Sequence, residues 1–289
     1  MYINLDPDSV GIDLPLEDLI PLAARHGYAG IDLPLSRIGE GREALSLEQI
    51  DEAMASAGLR FGSFGATWDY AGERAVFEQR MEELRRWLPA ARRLGCDRGV
   101  SGARPCSDFL EYGANFELHV ERLAPMARLM ADHGIRLGLE FIGPKTLRDE
   151  MKYEFVHTLP QMLDLLAAIA PPGGKQYVGV LLDSYHWYTS GGTEEELTRL
   201  LDNRKTVLVH INDGVEGRGR DQQMDLERRL PCATGIIDAA AFVRCLEKIG
   251  YDGPVTVEPF DAGLEKQEPE EIAKQVIDSA KRMLASGES

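Results

Sequence analysis

The sequence predicts a single (β/α)8 barrel, an α/β fold, that extends over residues 1–289. Short apolar runs alternate with longer amphipathic segments along the whole chain, and eight such pairs give about 36 residues per pair, the size of a strand–helix unit in a barrel. The strands read as unbroken apolar runs, which is typical of parallel strands covered on both faces. No linker or change of composition divides the chain, so one barrel fits better than a doubly wound sheet.

Eight segments have the length and composition of buried strands. In chain order they are residues 2–5, 30–33, 60–64, 98–101, 136–141, 177–183, 206–212 and 255–258.

The segments between the strands carry helical signals. After the third strand, four apolar residues recur every three or four positions and form one face of a helix: Phe77, Met81, Leu84 and Leu88. Thr158 and Asp238 each precede an apolar helical pattern and are predicted N-caps, because their side chains can accept from the first free N–H groups. Gly250 is predicted to stop the helix that Asp238 begins.

The charge balance disfavours some partners. The chain has 48 acidic and 32 basic residues, a net charge of −16, and an acidic surface repels both nucleic acids and anionic membranes. No apolar run reaches the roughly 18 residues of a membrane span, and the N-terminal residues do not resemble a signal peptide. The four cysteines show no CxxC spacing, so we expect reduced thiols and a cytoplasmic protein.

Four of the later strands end in a polar residue that a purely apolar core would not contain. Glu140, Asp183, His210 and Glu258 stand at the ends of the fifth to eighth predicted strands. Alternate residues of a barrel strand point to the axis, and the same inward phase fits the polar residue in all four strands. Barrel active sites lie at the C-terminal ends of strands, so we expect these side chains to converge there.

Three converging carboxylates repel one another unless some are protonated or a cation lies between them. Three oxygen ligands with one nitrogen suit Mn²⁺, Mg²⁺ or Co²⁺, so we expect one divalent metal, with Mn²⁺ favoured, on Glu140, Asp183, His210 and Glu258. The alternative is four separate, solvated residues in loops. His186 follows Asp183 by three residues and is predicted to reach the same cavity as a ligand or substrate donor, unless it is a structural histidine.

The order Glu, Asp-x-x-His, His, Glu on the last four strands resembles the sugar phosphate isomerase/epimerase superfamily, which has a xylose isomerase-like barrel. The resemblance is strongest in the stretches LGLEFIGPKT, VGVLLDSYHWYTSGGT, VLVHINDG, RRLPCATGIID and GYDGPVTVEPF. That group includes ketose 3-epimerases, hydroxypyruvate isomerase, inosose dehydratase and, at a greater distance, endonuclease IV. The resemblance implies the same four metal ligands, substrate contacts from His186, Arg228 and Lys145, and a homodimer or homotetramer. The alternative for Arg228 and its neighbour Arg229 is that both lie on a solvated acidic loop.

A site of this kind suits enolisation next to a carbonyl. A metal polarises the carbonyl, one carboxylate removes a proton and another returns it, and the resemblance implies Glu140 and Glu258 as this pair. Trp68 follows the third strand and is predicted to line the sugar pocket, with core packing as its alternative. Two positions depart from the relatives: Thr146 replaces a substrate-binding glutamate of the ketose 3-epimerases, and Cys232 replaces a frequent glycine.

Several functions would use these residues. The favoured one is a metal-dependent isomerase or epimerase of a sugar or sugar-like polyol. A lyase on the same scaffold, an inosose-type dehydratase or a 3-keto-sugar lyase, would share the first half of the reaction. A nuclease similar to endonuclease IV would need three metals and more than the six histidines of this chain. A subunit that depends on a partner chain is the remaining alternative.

Overall fold

The computed structural model describes residues 1–67 and 69–288, and the predicted (β/α)8 barrel is confirmed. Eight parallel strands follow one another around the barrel in chain order. Their bounds are Tyr2–Leu5 (β1), Gly30–Ile31 (β2), Arg60–Phe61 together with Phe64–Gly65 (β3), Arg98–Ala103 (β4), Arg136–Phe141 (β5), Val178–Asp183 (β6), Thr206–Ile211 (β7) and Pro254–Val257 (β8). The barrel closes at β3, because the first piece of this strand pairs with β2 and the second piece with β4.

All eight predicted strands are present, and the main difference is the break in β3. The strand changes its pairing from β2 to β4 at Gly62 and Ser63, where the backbone leaves regular strand geometry. Ser63 donates from its backbone N and its hydroxyl to the carboxylate of Asp32 at the end of β2. A polar contact of this kind depends on the closed barrel, so the apolar pattern of the strand did not reveal it.

Eleven α-helices within the described residues cover the barrel. They are Leu16–His26, Leu35–Gly39, Leu47–Ala57, Arg74–Arg93, Tyr112–Asp132, Lys145–Arg148, Leu159–Ile169, Ser184–Thr189, Glu194–Leu200, Ala239–Lys248 and Pro269–Ala285, numbered α1 to α11. Asp238 accepts from the backbone N of Ala241 at 2.9 Å, and Thr158 forms a capping box with Gln161, so both predicted N-caps are confirmed. The helix after Asp238 ends at Lys248.

The apolar faces of the helices are buried, and the barrel strands contain one bulge. The four apolar residues predicted to share one face of α4 are all buried. Inside the barrel, the register between β6 and β7 shifts at Val207, whose Cγ2 would lie 3.0 Å from a Cβ built on Gly179. That Cβ would also lie 2.4 Å from the carbonyl oxygen of Lys205, so glycine makes room for the bulge.

None of the described helices combines the length and the apolar composition that crossing a bilayer requires. All four cysteines are free thiols, and Cys96, Cys106 and Cys245 are buried.

Candidate active site

The structure brings together the four strand-end residues singled out from the sequence. Glu140 is next to last in β5, Asp183 ends β6, His210 is next to last in β7, and Glu258 directly follows β8. One ligand-type atom from each residue lies within 4.8 Å of the other three. Opposite ligands of one Mg²⁺ ion are about 4.2 Å apart. The four atoms therefore lie near the separation that a shared ion requires.

Two atoms of this cluster have no hydrogen-bond partner within the described chain. Glu140 Oε1 and His210 Nδ1 are both buried, and they lie 3.7 Å from each other. His210 Nδ1 also lies 3.3 Å from Glu258 Oε1. A buried polar atom without a partner costs stability, and a cation between these atoms would satisfy both. The donor set and its geometry therefore fit a hard divalent metal.

The cluster strongly perturbs the protonation of its own members. Burial and the neighbouring Glu258 carboxylate raise the pKa of Glu140 well above its usual range. Burial alone would lower the pKa of His210, but the carboxylates of Glu258, Glu140 and Asp183 outweigh it and raise this pKa to about 10. The imidazole of the metal-free protein is therefore protonated at neutral pH. Since a ligating imidazole must be neutral, we expect metal binding to release protons and to weaken as the pH falls.

Asp183 is held in place from several sides. Its Oδ1 accepts from Tyr185 N at 2.6 Å and from Asn212 Nδ2 at 3.0 Å. The same Nδ2 lies 3.2 Å from the backbone oxygen of Glu258, and Ser184 Oγ donates to Asn212 Oδ1 at 2.9 Å. Asn212 thereby orients two of the four candidate ligands.

Arg228 lies against the cluster, and its side chain is 1% exposed. Nη1 donates to Asp183 Oδ2 at 2.8 Å and to Glu258 Oε2 at 2.6 Å, and Nη2 donates to Asp225 Oδ1 at 2.8 Å. Burial lowers the pKa of Arg228, but Asp183 and Glu258 outweigh it and raise the pKa well above its usual value. The guanidinium is therefore a permanent positive charge beside the candidate metal site.

Two aromatic rings fix the plane of this guanidinium. The Tyr185 and Phe260 ring centroids lie 4.7 and 4.8 Å from Arg228 Cζ. Phe260 has a φ of +39°, an uncommon backbone conformation for a residue other than glycine. Backbone strain of this kind is concentrated at functional sites. Here it accompanies the ring that packs on the guanidinium.

The segment that carries Arg228 is anchored at its far end by Asp213. The Asp213 carboxylate accepts from the backbone N of Thr234, of Gly235 and of Ile237. Cys232, in the same segment, has a φ of +62°. This left-handed conformation explains why glycine would fit that position well.

His186 is completely buried in α8, and its environment selects one tautomer. Gly143 N donates to Nδ1 at 3.2 Å, so Nε2 carries the proton in the neutral ring. Burial lowers the pKa of His186, which favours this neutral form. Nε2 lies 3.7 Å from Glu140 Oε1, 3.8 Å from Asp225 Oδ1 and 3.2 Å from Arg228 Nη2, which itself donates to Asp225. His186 and Arg228 thus both present donors to the same space.

Gly143→Ala is expected to displace His186. A Cβ on Gly143 would lie 2.5 Å from His186 O, 2.5 Å from Thr189 Oγ1 and 2.8 Å from Ser190 N, so α8 or the loop has to move. We expect a loss of about 1–3 kcal/mol in the free energy of unfolding measured with urea. The control is Gly113→Ala in α5, where a Cβ meets nothing within 4 Å. Equal stability of the two variants would contradict this account.

Two cavities flank the cluster, and both Glu140 and Glu258 line each of them. The first cavity, of about 180 Å³, lies at the ends of β1 and β2 and is also lined by Asp6 and Asp32. The second cavity, of about 370 Å³, has a mixed lining: His186, Arg228, Asp225, Ile142, Leu147 and Phe260. A ligand held between the two glutamates can therefore extend in two directions.

The structure does not bring Lys145 into this arrangement. Its Nζ contacts the Asp149 carboxylate at 2.5 Å, and it lines neither of the two cavities. Thr146, at the position that departs from the ketose 3-epimerases, donates from Oγ1 to the backbone oxygen of Gln223 at 2.8 Å. Trp68, the predicted wall of the sugar pocket, lies outside the described residues.

Four polar residues of the site were not selected from the sequence. Asp6 and Asp32 directly follow β1 and β2, so the argument from strand ends would have found them. Asn212 follows β7 and lies two residues after His210, which is a weaker signal of the same type. Asp225 lies in the long segment between β7 and α10, and no pattern in the sequence pointed to it.

The fold and the site together define the class of protein. It is a (β/α)8 barrel with carboxylates, imidazoles and a buried guanidinium converging at the C-terminal ends of its strands, and with a candidate site for one divalent metal. The chain belongs to the xylose isomerase-like TIM barrel family, whose model matches residues 20–283.

Two curated relatives indicate the activities found in similar chains. The chain is 27% identical over 165 residues to an inosose isomerase of Bacillus velezensis, which is 57% of this chain and 54% of that protein. It is 28% identical over 154 residues to a ketose 3-epimerase of Arthrobacter globiformis, which is 52% of this chain and 43% of that protein. The chain thus spans about half the length of the curated relatives it matches.

Two solved structures share the complete barrel. A xylose isomerase domain protein from Alicyclobacillus acidocaldarius superposes with a TM-score of 0.87 at 28% identity, covering 100% of both chains. The IolI protein, solved with a bound zinc atom, superposes with a TM-score of 0.82 at 20% identity, covering 99% of this chain and 98% of that chain. The second likeness concerns the fold alone.

Proposed function

We propose that this chain is a divalent-metal-dependent isomerase or epimerase that acts on a sugar or sugar-like polyol through an enediolate. The observation that carries the proposal is the convergence of Glu140, Asp183, His210 and Glu258, with both glutamates lining both cavities. The relatives named inosose isomerase and ketose 3-epimerase support an enzymatic role and a polyol-like carbonyl substrate. The zinc in the IolI structure supports a divalent metal in a barrel of this shape.

A divalent ion on these four residues would act as a Lewis acid toward a carbonyl oxygen and a neighbouring hydroxyl oxygen of the substrate. We propose Mn²⁺ as the ion, with Mg²⁺ or Co²⁺ as alternatives, because three of the four ligands are carboxylates. Asn212 and Arg228 hold Asp183 and Glu258 in place for this purpose.

Glu140 and Glu258 are the proposed acid/base pair. They come from β5 and from the end of β8, so a substrate carbon between them has one carboxylate on each side. One carboxylate removes the proton next to the carbonyl, and the other returns a proton from the opposite face. The Nε2–H of His186 and the guanidinium of Arg228 would stabilise the negative charge that develops on the substrate oxygens.

The test is proton exchange in D₂O. Protein stripped with EDTA and reloaded with Mg²⁺, Mn²⁺, Co²⁺ or Zn²⁺ would be incubated with inososes and free ketoses. Substrate and product would be followed by NMR after the metal and protein are removed. We expect deuterium at the carbon next to the carbonyl, formation of an isomer, and loss of both after EDTA treatment. No exchange with any metal and any of these substrates would overturn the proposal.

The lyase remains the second candidate because it would use the same proton abstraction. Mass spectrometry of the same reactions separates the two, since a dehydratase product has lost one water. An isomer of unchanged mass, apart from deuterium, excludes that alternative.

A further inference from the structure

We propose that the cavity at the ends of β1 and β2 is a hydroxyl-binding subsite that selects an uncharged polyol and rejects phosphate- or carboxylate-bearing ligands. We call it the acidic cavity; it is lined by Asp6, Asp8 and Asp32 together with Glu140, Glu258, His210 and Arg37. The inference rests on the proposed function only in taking the reacting carbon to lie between Glu140 and Glu258.

The charge of the acidic cavity disfavours anions. Five carboxyl groups line it, against two cationic side chains, His210 and Arg37. Burial and the neighbouring Asp32 and Asp8 raise the pKa of Asp6 to about 8, and the pKa of Glu140 is raised as well, so the three remaining acidic side chains supply the negative charge at neutral pH. Arg37 is already neutralised, because its Nη1 lies 3.2 Å from Asp13 and its Nε lies 2.7 Å from the buried carboxylate of Glu43. His210 faces Glu140 and Glu258. A phosphate or carboxylate in this cavity would therefore meet net negative charge and be repelled.

The carboxylates at the strand ends are held in fixed positions. Asp32 Oδ1 accepts from Asn4 Nδ2 at 2.7 Å, from Ser63 N at 3.0 Å and from Ser63 Oγ at 2.9 Å. Asn4 Nδ2 also lies 3.1 Å from Thr256 Oγ1, so the network joins β1, β2, β3 and β8. Thr256 stands two residues before Glu258, and the network therefore ties this wall of the cavity to the strand that carries a proposed catalytic group.

Asp6 has an oxygen available for a ligand. Its Oδ1 accepts from Asp8 N at 3.1 Å, and Oδ2 accepts from no group in the described part of the chain. Ser9 Oγ donates to the Asp6 backbone oxygen at 3.1 Å and fixes the turn. A hydroxyl can donate to this oxygen when Asp6 is ionised and can accept from it when burial keeps Asp6 protonated, and it remains uncharged in both cases.

The cavity is also continuous with unpaired polar atoms. Glu140 Oε1 and His210 Nδ1 are at least nine-tenths buried, lack partners within the described chain, and belong to residues that line the acidic cavity. A ligand that carries several hydroxyl groups can therefore contact the cluster at one end and Asp6 and Asp32 at the other. The 180 Å³ of this cavity suits part of a small polyol.

The experiment measures binding of a probe that cannot react. Dissociation constants of myo-inositol and of myo-inositol 1-phosphate would be measured by ligand-observed NMR for wild type, Asp6→Asn and Asp164→Asn, with Mg²⁺ and with EDTA. Asp164 is exposed on α7 and supplies the same chemical change outside the cavity. Asp6→Asn is chosen over Asp32→Asn because an amide at position 32 would place N–H groups against the donors of Asn4 and Ser63. Metal content and melting temperature would show that each variant is folded.

At pH 9, above the pKa of about 8 that burial gives Asp6, we expect Asp6→Asn to weaken myo-inositol binding about tenfold, the effect of losing a hydrogen bond to a charged group, and Asp164→Asn to leave it unchanged. We expect the phosphate to bind wild type at least tenfold more weakly than myo-inositol, with a smaller difference in Asp6→Asn. Equal binding of the two probes to wild type, unchanged binding in Asp6→Asn, or no binding of myo-inositol to wild type would overturn the subsite. Because neither probe turns over, these results are independent of the exchange test of the proposed function.

Discussion

Glu258→Gln is expected to abolish both metal retention and proton exchange. Glutamine keeps the shape of the side chain but replaces a charged ligand oxygen with a neutral one, and it cannot accept a proton from carbon. Removal of a positioned acid/base group typically lowers a rate by about 10² to 10⁴, and loss of a metal ligand adds to that. We expect elemental analysis to show less than about a tenth of the wild-type metal, with the exchange rate reduced by about 10³-fold or more.

The matched control is Glu195→Gln, which makes the same chemical change at an exposed position of α9. It should retain the metal and the exchange rate of the wild type. If Glu258→Gln retained both as well, the four-ligand site and the acid/base assignment would both be wrong. If it retained the metal but lost exchange, Glu258 would be an acid/base group and not a ligand.

The candidate metal site could be predicted because it depends on two simple regularities. Parallel strands of a barrel bring their C-terminal ends together, and alternate residues of each strand face the axis. Glu140, Asp183, His210 and Glu258 satisfy both conditions, and the structure places one atom from each within 4.8 Å of the others. Local periodicity was therefore enough to predict that four residues from a 119-residue span converge at one site.

The remaining parts of the site depend on contacts that no local pattern encodes. Asp225 reaches His186 only because a long segment folds back over the barrel and is anchored by Asp213. At the break in β3 the hydroxyl of Ser63 bonds to the Asp32 carboxylate, and at the bulge Val207 packs against a glycine of the neighbouring strand. Long-range polar contacts and close packing determine these features, whereas hydrophobic periodicity determines the positions of the strands.

Arg228→Met is expected to cost the metal-free protein about 3–5 kcal/mol in the free energy of unfolding. Methionine fills part of the volume and can pack between Tyr185 and Phe260, but it removes the positive charge that Asp183, Asp225 and Glu258 share. Loss of one partner from a buried charged network leaves the others uncompensated, and that penalty is typically about 3–5 kcal/mol. Urea unfolding in EDTA at neutral pH measures it. Adding Mn²⁺ should restore stability more in this variant than in the wild type, because a bound cation replaces the missing charge.

The pH dependence of the stability difference between wild type and Arg228→Met identifies the cause of that difference. Burial alone would raise the pKa of Asp183, but Arg228, with His186 and His210, outweighs it and holds this pKa at about 2, below the usual 3.8. A carboxyl whose folded pKa is depressed stabilises the protein above its unfolded pKa, and this contribution is lost as the pH falls toward the folded value. Without Arg228 the contribution is absent, so the stability gap between wild type and Arg228→Met should be full at neutral pH and should shrink below about pH 4.

The neighbouring Arg229, which is 41% exposed, supplies the control Arg229→Met, expected to change stability by less than about 1 kcal/mol. A gap for Arg228→Met that stays constant with pH would assign its cost to lost packing against the two aromatic rings and not to the carboxylates.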